Sequence, residues 1–140
     1  MISLTKTLKA IKKVLEKLDY EVLLWTNPSP ESGFNATSLN ISGDYDEYII
    51  EWNDYIGEKS RSMLRLKKGE TVKFCSAVIG GSGTNFWVNM RDVTSSGSGN
   101  SHQLIFGNGA YKSQGTTSQS VTNDAQVPIR IYGVRKLGGK

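Results

Sequence analysis

Leu15-Glu16-Lys17-Leu18-Asp19-Tyr20-Glu21-Val22-Leu23-Leu24-Trp25-Thr26, residues 15–26, is the stretch in which the chain changes its period. Up to Leu18 the apolar residues return at alternating steps of four and three. From Tyr20 the spacing is two, and Tyr20–Thr26 reads as a strand entered directly from a helix. Toward the N-terminus, Leu4, Leu8, Ile11, Leu15 and Leu18 form a heptad seam, with Leu8 and Leu15 at the a positions, Leu4, Ile11 and Leu18 at d, and Val14 widening the stripe at g. Leu at a with Ile at d shifts preference from a parallel dimer toward three or four strands, so a trimeric coiled coil is expected, although the seam is shorter than the usual three to four heptads. Ser3 is placed as N-cap, and the run contains neither Gly nor Pro. Two alternatives compete with the shared seam. One is a helix folded against its own domain, and the other is a membrane-surface helix, which the lack of Trp and Phe on the apolar face disfavours.

Toward the C-terminus, Asn27-Pro28-Ser29-Pro30-Glu31-Ser32-Gly33 ends the first strand and turns the chain. Further strands are expected at Phe34–Ile41, with Leu39 and Ile41 on one side, at Glu47–Trp52, at Ser60–Leu66 and at Thr71–Ile79. Lys67-Lys68-Gly69-Glu70 reads as a hairpin joining the last two. After Gly80-Gly81-Ser82-Gly83, residues 85–93 alternate again; if Phe86, Val88 and Met90 point inward, Trp87 lies outside. Thr94–Asn100 reads as a polar loop and Ser101–Phe106 as a strand. Gly107-Asn108-Gly109 reads as a tight turn folding Ala110–Lys112 back into a hairpin, Ser113–Asn123 as a second polar loop, and Val127–Val134 as the last strand, with Pro128 indicating an edge or a strand start. About eight short strands with turn chemistry between them indicate a mostly β protein, a jelly-roll-like β-sandwich preceded by a short α-helix. The division expected is an oligomerisation segment at 1–19, a sandwich at 20–136 and a tail at 137–140.

One domain with its own core suits 140 residues of which 37% are hydrophobic. The net charge is +4, and all of it is carried by residues 1–18, which hold five Lys and one Glu; the remaining twelve basic and twelve acidic side chains cancel. The excess therefore belongs to the outside of the helix, solvated or facing an acidic partner. No basic stripe is interleaved with aromatics, which disfavours nucleic acid. A lone Cys75 excludes an internal disulfide, and His102 has no Cys/His neighbours at zinc-like spacing. No long apolar run or signal-peptide core is evident, so neither secretion by the ordinary route nor membrane insertion is expected.

Catalytic and metal sites find little support, and neither cofactor nor metal is expected. Glycan hydrolysis needs two carboxylates across a cleft; Glu31, Asp54 and Glu58 are loop candidates with nothing to pair them. Cys75 reads as an inert core thiol. Asp44 and Asp46 lack the further oxygen ligands of a calcium loop, and Asn35-Ala36-Thr37 and Asn40-Ile41-Ser42 match a glycosylation acceptor without a secretory context. Tyr45, Tyr48, Trp52, Tyr55 and Trp87 have the rigid amphipathic form that stacks on sugars, but small sandwich cores use the same residues; Tyr55, for its loop position, and Trp87, for its outward phase, rank first as ligand contacts.

Leu24-Trp25-Thr26-Asn27-Pro28-Ser29-Pro30 with Phe34, Gly43-Asp44-Tyr45-Asp46-Glu47-Tyr48-Ile49-Ile50, Phe106-Gly107-Asn108-Gly109-Ala110-Tyr111 and Val127-Pro128-Ile129-Arg130-Ile131-Tyr132-Gly133-Val134 resemble, in order, the small β-sandwich modules of virion proteins in tailed phages that infect Firmicutes. The resemblance spans residues 22–135, and its motifs are structural. It implies a non-enzymatic virion protein, a homotrimeric fibre tip or head or tail decoration. The N-terminal helices would bundle and attach to another virion protein, and the sandwich would be displayed for host-surface adhesion. Loops Asn53–Lys59, Thr94–Asn100 and Ser113–Asn123 would carry that contact, with a host cell-wall glycan as the candidate ligand. A free-standing carbohydrate-binding module is the main alternative and a glycan-degrading enzyme the third.

Overall fold

The computed structural model describes residues 3–15, 18–56, 61–79 and 86–136. The expected tail at 137–140, the link at 80–83 and the far part of the Asn53–Lys59 loop, including Glu58, lie outside the described residues. Among the described residues, helix α1, Leu4–Leu15, precedes ten strands: β1 Asp19–Thr26, β2 Thr37–Ser42, β3 Glu47–Tyr55, β4 Arg61–Lys67, β5 Thr71–Ile79, β6 Phe86–Ser98, β7 Ser101–Phe106, β8 Ala110–Ser113, β9 Ser120–Val121 and β10 Ala125–Lys136. All pairings are antiparallel and form two sheets. One has the order β1-β10-β3-β4; the other has β2-β7-β6-β8-β9, with β5 on the opposite side of β6.

Alternation in the strands creates the core. In β3, Tyr48, Ile50 and Trp52 face inward; they meet His102, Leu104 and Phe106 of β7, which alternate with exposed Ser101, Gln103 and Ile105. Leu39 and Ile41 of β2, Leu64 and Leu66 of β4, Val93 of β6 and Ile131 of β10 complete the layer. An aromatic chain then ties one sheet to the other. Trp25 meets Phe34 at 5.9 Å, Phe34 meets Phe106 at 5.3 Å, Phe106 meets Trp52 at 5.8 Å, and Trp52 stacks on Phe74 of β5 at 5.1 Å. Tyr45, Tyr48 and Trp52, considered above as sugar-stacking residues, are thus buried core.

Several connections differ from those expected. Lys67–Glu70 is not a hairpin: β4 and β5 belong to different sheets, and the turn closed by Glu70 N–H on the Lys67 carbonyl (3.1 Å) carries the chain between layers. Gly107–Gly109 is not a hairpin turn either. β7 and β8 run in succession along the same side of β6, and the glycines pass a tight packing point where a Cβ on Gly109 would lie 2.3 Å from the Thr122 carbonyl oxygen. Thr94–Ser98 extends β6, leaving only Gly99 and Asn100 as the turn into β7. Asn53–Tyr55 likewise extends β3.

Pro128 lies within β10, a central strand, because that strand is locally an edge there. Pairing with β1 stops at Thr26 and Arg130, and Asn27 takes over, giving its N–H to the Ile129 carbonyl (2.8 Å) and its Nδ2 to the Pro128 carbonyl (2.9 Å).

The phase of β6 is also reversed. Asn89, Arg91, Val93 and Ser95 are buried, Trp87 shares their side, and Phe86, Val88 and Met90 lie on the outer face. Cys75 is exposed on that same outer face rather than buried, opposite Met90.

Tyr45 closes one end of the sandwich over Gly133, with the Arg135 guanidinium 4.7 Å from its ring centroid. A Cβ at position 133 would sit 2.4 Å from the Tyr45 ring. Gly133→Ala is therefore expected to lower the unfolding free energy by about 1–3 kcal/mol through overpacking, read by urea denaturation. The loss should shrink in a Tyr45→Leu background, and additive effects would show that the ring is not the obstacle.

Candidate functional site

The apolar stripe of α1 is the largest departure from the satisfied packing of the sheets. Ser3 caps the helix, accepting the Lys6 N–H on its hydroxyl at 3.3 Å. No residue of the helix is buried: Leu4 is 74% exposed, Leu8 55%, Ile11 49% and Leu15 42%. The chain's own sheets therefore do not cover the stripe. A helix of this length, about 18 Å, is marginal by itself in water, so its stability depends on burying that face. Leu18, the fifth expected rung, falls outside Leu4–Leu15, its N–H bonded to the Leu15 carbonyl at 3.1 Å. Among the described residues, no helix is long and apolar enough to cross a membrane.

Register separates the connections into two ends. Asp19, Lys136, Glu47 and Lys67 align at the end where α1 enters, together with the turns at 43–46, 68–70 and 99–100. Here Asp44 bonds the Lys68 ammonium at 2.7 Å, and its Oδ1 lies 3.6 Å from Nε2 of the buried His102, whose Nε2 also contacts the Gly99 carbonyl. Asp44 is thus committed to a structural cluster rather than to a calcium loop. At the opposite end lie the 27–36 connection, Tyr55 and Ile56, the end of β5 at Ile79 and the start of β6 at Phe86, and the 114–119 and 122–124 segments. The three loops expected to act together are therefore split. Residues 53–56, the described part of Asn53–Lys59, and residues 113–123 share the end away from the helix, whereas Gly99-Asn100, what remains of Thr94–Asn100, is at the helix end.

One side chain organises the far end. Arg91 is 1% exposed and gives its Nε–H to the Gln126 carbonyl (2.7 Å), Nη1 to Gly107 (2.7 Å), and Nη2 to Phe34 (2.9 Å), Ala125 (2.9 Å) and Asn123 (3.4 Å). Its guanidinium also lies 5.4 Å from the Phe34 ring centroid. Burial draws its pKa down to about 10, so it remains charged at neutral pH. Nearby, Asn89 Nδ2 donates to the Asp54 carbonyl at 3.0 Å, and Gln126 Nε2 contacts the Ser76 hydroxyl.

Tyr55 closes β3 at this end, half-buried, with burial and then the Asp124 carboxylate pushing its phenol above the ordinary value. Trp87 lies on β6 in the other sheet, between Val78 and Ser113 in register and on the interior phase. What the sequence reading missed is the outer face of that sheet. Pairs Cys75–Met90, Ala77–Val88 and Ile79–Phe86 make an apolar patch, beside a shallow depression of about 370 Å³ that reaches Lys112 and Thr116. The alternation Phe86, Val88, Met90 was the available signal, assigned to the wrong side.

No family model matches the chain, and no curated protein or solved structure matches it either.

No group of three or more His, Cys, Asp or Glu among the described residues is arranged to hold a metal ion. Of the three carboxylates expected in loops, Glu31 sits in the 3-10 turn Pro30–Ser32, Asp54 lies in β3 and accepts the Ser62 hydroxyl at 2.9 Å, and Glu58 is outside the described residues.

Arg91→Met would leave the carbonyls of Phe34, Gly107, Ala125 and Gln126 without their donor, and a loss of about 3–5 kcal/mol is expected in urea denaturation. Arg91→Lys should recover little, because one ammonium cannot reproduce the fork. A change below about 1 kcal/mol would mean that water satisfies these carbonyls.

At the helix end, the buried Tyr48 hydroxyl has no hydrogen-bond partner among the described residues. Burial first, then Asp44 and Tyr45, raise its pKa from 10.0 to about 12. The fold thus favours the neutral phenol, and that contribution is complete below the unfolded value and lost as pH rises toward the folded one. Tyr48→Phe should be at least as stable as the parent at neutral pH and should lose less stability between about pH 10 and 12. A clearly less stable Phe variant at neutral pH would reveal a partner for the hydroxyl.

Proposed function

We propose that this chain is a non-enzymatic virion component of a tailed phage: a homotrimer with a short N-terminal helical bundle and a jelly-roll-like sandwich, acting as a fibre tip or as a head or tail decoration that adheres to the host surface. The observation that carries the proposal is the exposed stripe Leu4, Leu8, Ile11 and Leu15, which no described part of its own chain buries. Its heptad spacing suits a second and third copy better than a flat partner. The resemblance of residues 22–135 to virion modules supports the phage context, and the pairing of the first strand with the last supports the jelly-roll-like description.

In this reading the end away from the helix is the adhesive one. It collects the connections at 27–36 and 113–123, Tyr55, and the depression flanked by Phe86, Val88 and Met90. Three copies held by one bundle would turn weak contacts at three such ends into a durable attachment. Trp87, being on the interior phase, is a weaker candidate for ligand contact than its sequence position indicated.

Light scattering on the full-length chain should give three times the monomer mass. Ile11→Asp, which places a charge in the middle of the seam, should give the monomer while leaving the sandwich folded by circular dichroism. A monomeric parent chain would overturn the reading in favour of a solitary sugar-binding module, which glycan-array binding by the monomer would support.

A further inference from the structure

We propose that β5 is an interface edge, through which two copies of this chain pair antiparallel along Thr71–Ile79 about a two-fold axis at Cys75. The backbone decides which groups are available for this. Ser95 N–H bonds the Glu70 carbonyl at 2.8 Å, and the β5–β6 register runs without a shift from Thr71 opposite Thr94 to Ile79 opposite Phe86. Bonded and unbonded pairs alternate in an antiparallel ladder, so the even-numbered residues of β5 are the ones bonded to β6. The far side of β6 agrees. Asp92 and Phe86, which stand opposite Lys73 and Ile79, direct their carbonyls away from β5, to the N–H groups of Gly107 (2.9 Å) and Gln114 (2.9 Å). Thr71, Lys73, Cys75, Ala77 and Ile79 therefore turn their N–H and C=O groups to a side on which, among the described residues, no strand pairs.

Exposed edges are ordinarily blunted by charge, brevity or a bulge. The other edges of this molecule are: β1 carries a bulge between Leu23 and Trp25, β4 displays Arg61, Arg65 and Lys67, β2 has six residues, mostly polar, and β9 has two. β5 has nine residues, with neither Pro nor a bulge. Its one charged side chain, Lys73, is paired with Asp92 at 3.4 Å.

The strand is also complementary to itself. Setting Cys75 against the second copy's Cys75 places Thr71 opposite Ile79 and Lys73 opposite Ala77, overlaps the whole strand and makes roughly ten backbone hydrogen bonds, the number a standard interface carries. Any slip shortens that ladder, and a slip toward the strand start brings the two Lys73 side chains face to face. On the outer face, Cys75 and Met90 of both copies form one row, continuous with Val88, Phe86 and Ile79, the last 71% exposed. Cys75 Sγ lies 4.0 Å from the Lys73 carbonyl oxygen, one of the edge-directed acceptors, so the thiol sits close to the line between the copies. A two-fold contact is not satisfied within a three-fold ring; in the trimeric reading it joins one trimer to another, and it does not require the trimer.

The test uses the full-length Ile11→Asp chain, whose helix seam is broken, so that association reports the strand edge alone and failure of the trimeric reading leaves the result intact. One strand edge is a small interface, and a dimer is expected by sedimentation equilibrium at about 100 µM, above the concentration at which light scattering reads the seam. Ala77 is exposed. Ala77→Glu sets a carboxylate opposite the second copy's Lys73, twice per dimer, and should tighten association about fivefold at low salt; Ala77→Lys should weaken it by a similar factor, with circular dichroism unchanged in both. The azo oxidant diamide should link the chains through Cys75. Two thiols give up two electrons and two protons, an S–S bond forms, and the azo group becomes a hydrazine; the Cα separation of a bonded pair, about 5.5 Å, suits a disulfide. The proposal is overturned if the chain stays monomeric at about 1 mM, if the Glu and Lys variants associate alike, or if diamide links the Lys variant as readily as its parent. It is equally overturned if a β-forming peptide of unrelated sequence breaks the dimer as well as a Thr71–Ile79 peptide does, since the occupant would then be any extended chain.

Discussion

The Arg91 guanidinium, buried between the sheets and bonded to backbone carbonyls from three separate connections, is the constraint on which the far end of this molecule depends. Strands that cross between layers give up ladder partners where they turn, and their carbonyls then face inward without donors. Phe34 lies on such a crossing, Ala125 and Gln126 open β10 after another, with Gln126 at a positive φ of 49°, and Gly107 lies where β7 gives way to β8 within one sheet. Apolar packing cannot satisfy these groups; a side chain with five N–H donors in a fixed fork can. Their dipoles stabilise the charge in turn, which is how an arginine remains ionised here with no carboxylate among the described residues bonded to it. The same requirement explains the reversed phase of β6. The side of the strand carrying Asn89 and Arg91 must face inward, so the apolar side carrying Phe86, Val88 and Met90 faces out.

The two ends of the chain illustrate opposite ways of handling a hydrophobic face. The sheets complete themselves, with Trp52 and Phe74 stacked across the middle and Leu66, Leu104 and Ile131 fully buried. Helix α1 does not, because β1 begins almost where it ends and neither sheet folds back over the stripe. The chain therefore separates a self-sufficient β body from a helix whose apolar face the described residues leave exposed. In an assembly that shares the seam, the body is presented with its helix end inward and its opposite end free.

The alternating pattern was enough to locate the elements. The helix with its Ser3 cap, the change of period near residue 19, the shared side of Leu39 and Ile41 in β2, and the strand Thr71–Ile79 all follow from local spacing, because burial of alternate or heptad positions is a property of a few neighbouring residues. Local spacing also made the apolar face of α1 legible, though not the point at which the helix ends. It did not reveal that Lys67–Glu70 changes layers, that β7 and β8 share one side of β6, or that Thr94–Ser98 continues a strand, since each depends on partners distant in the chain.

Sequence by itself thus determined a mostly β protein with an amphipathic, lysine-rich helix at its start, for the reason that periodicity and charge are written residue by residue. The tertiary structure alone decided which side of β6 is inside, which loops share an end, and that Cys75 lies on the surface. Those outcomes turn on where unpaired backbone carbonyls from distant turns converge, and hydrophobicity along one strand does not encode that demand.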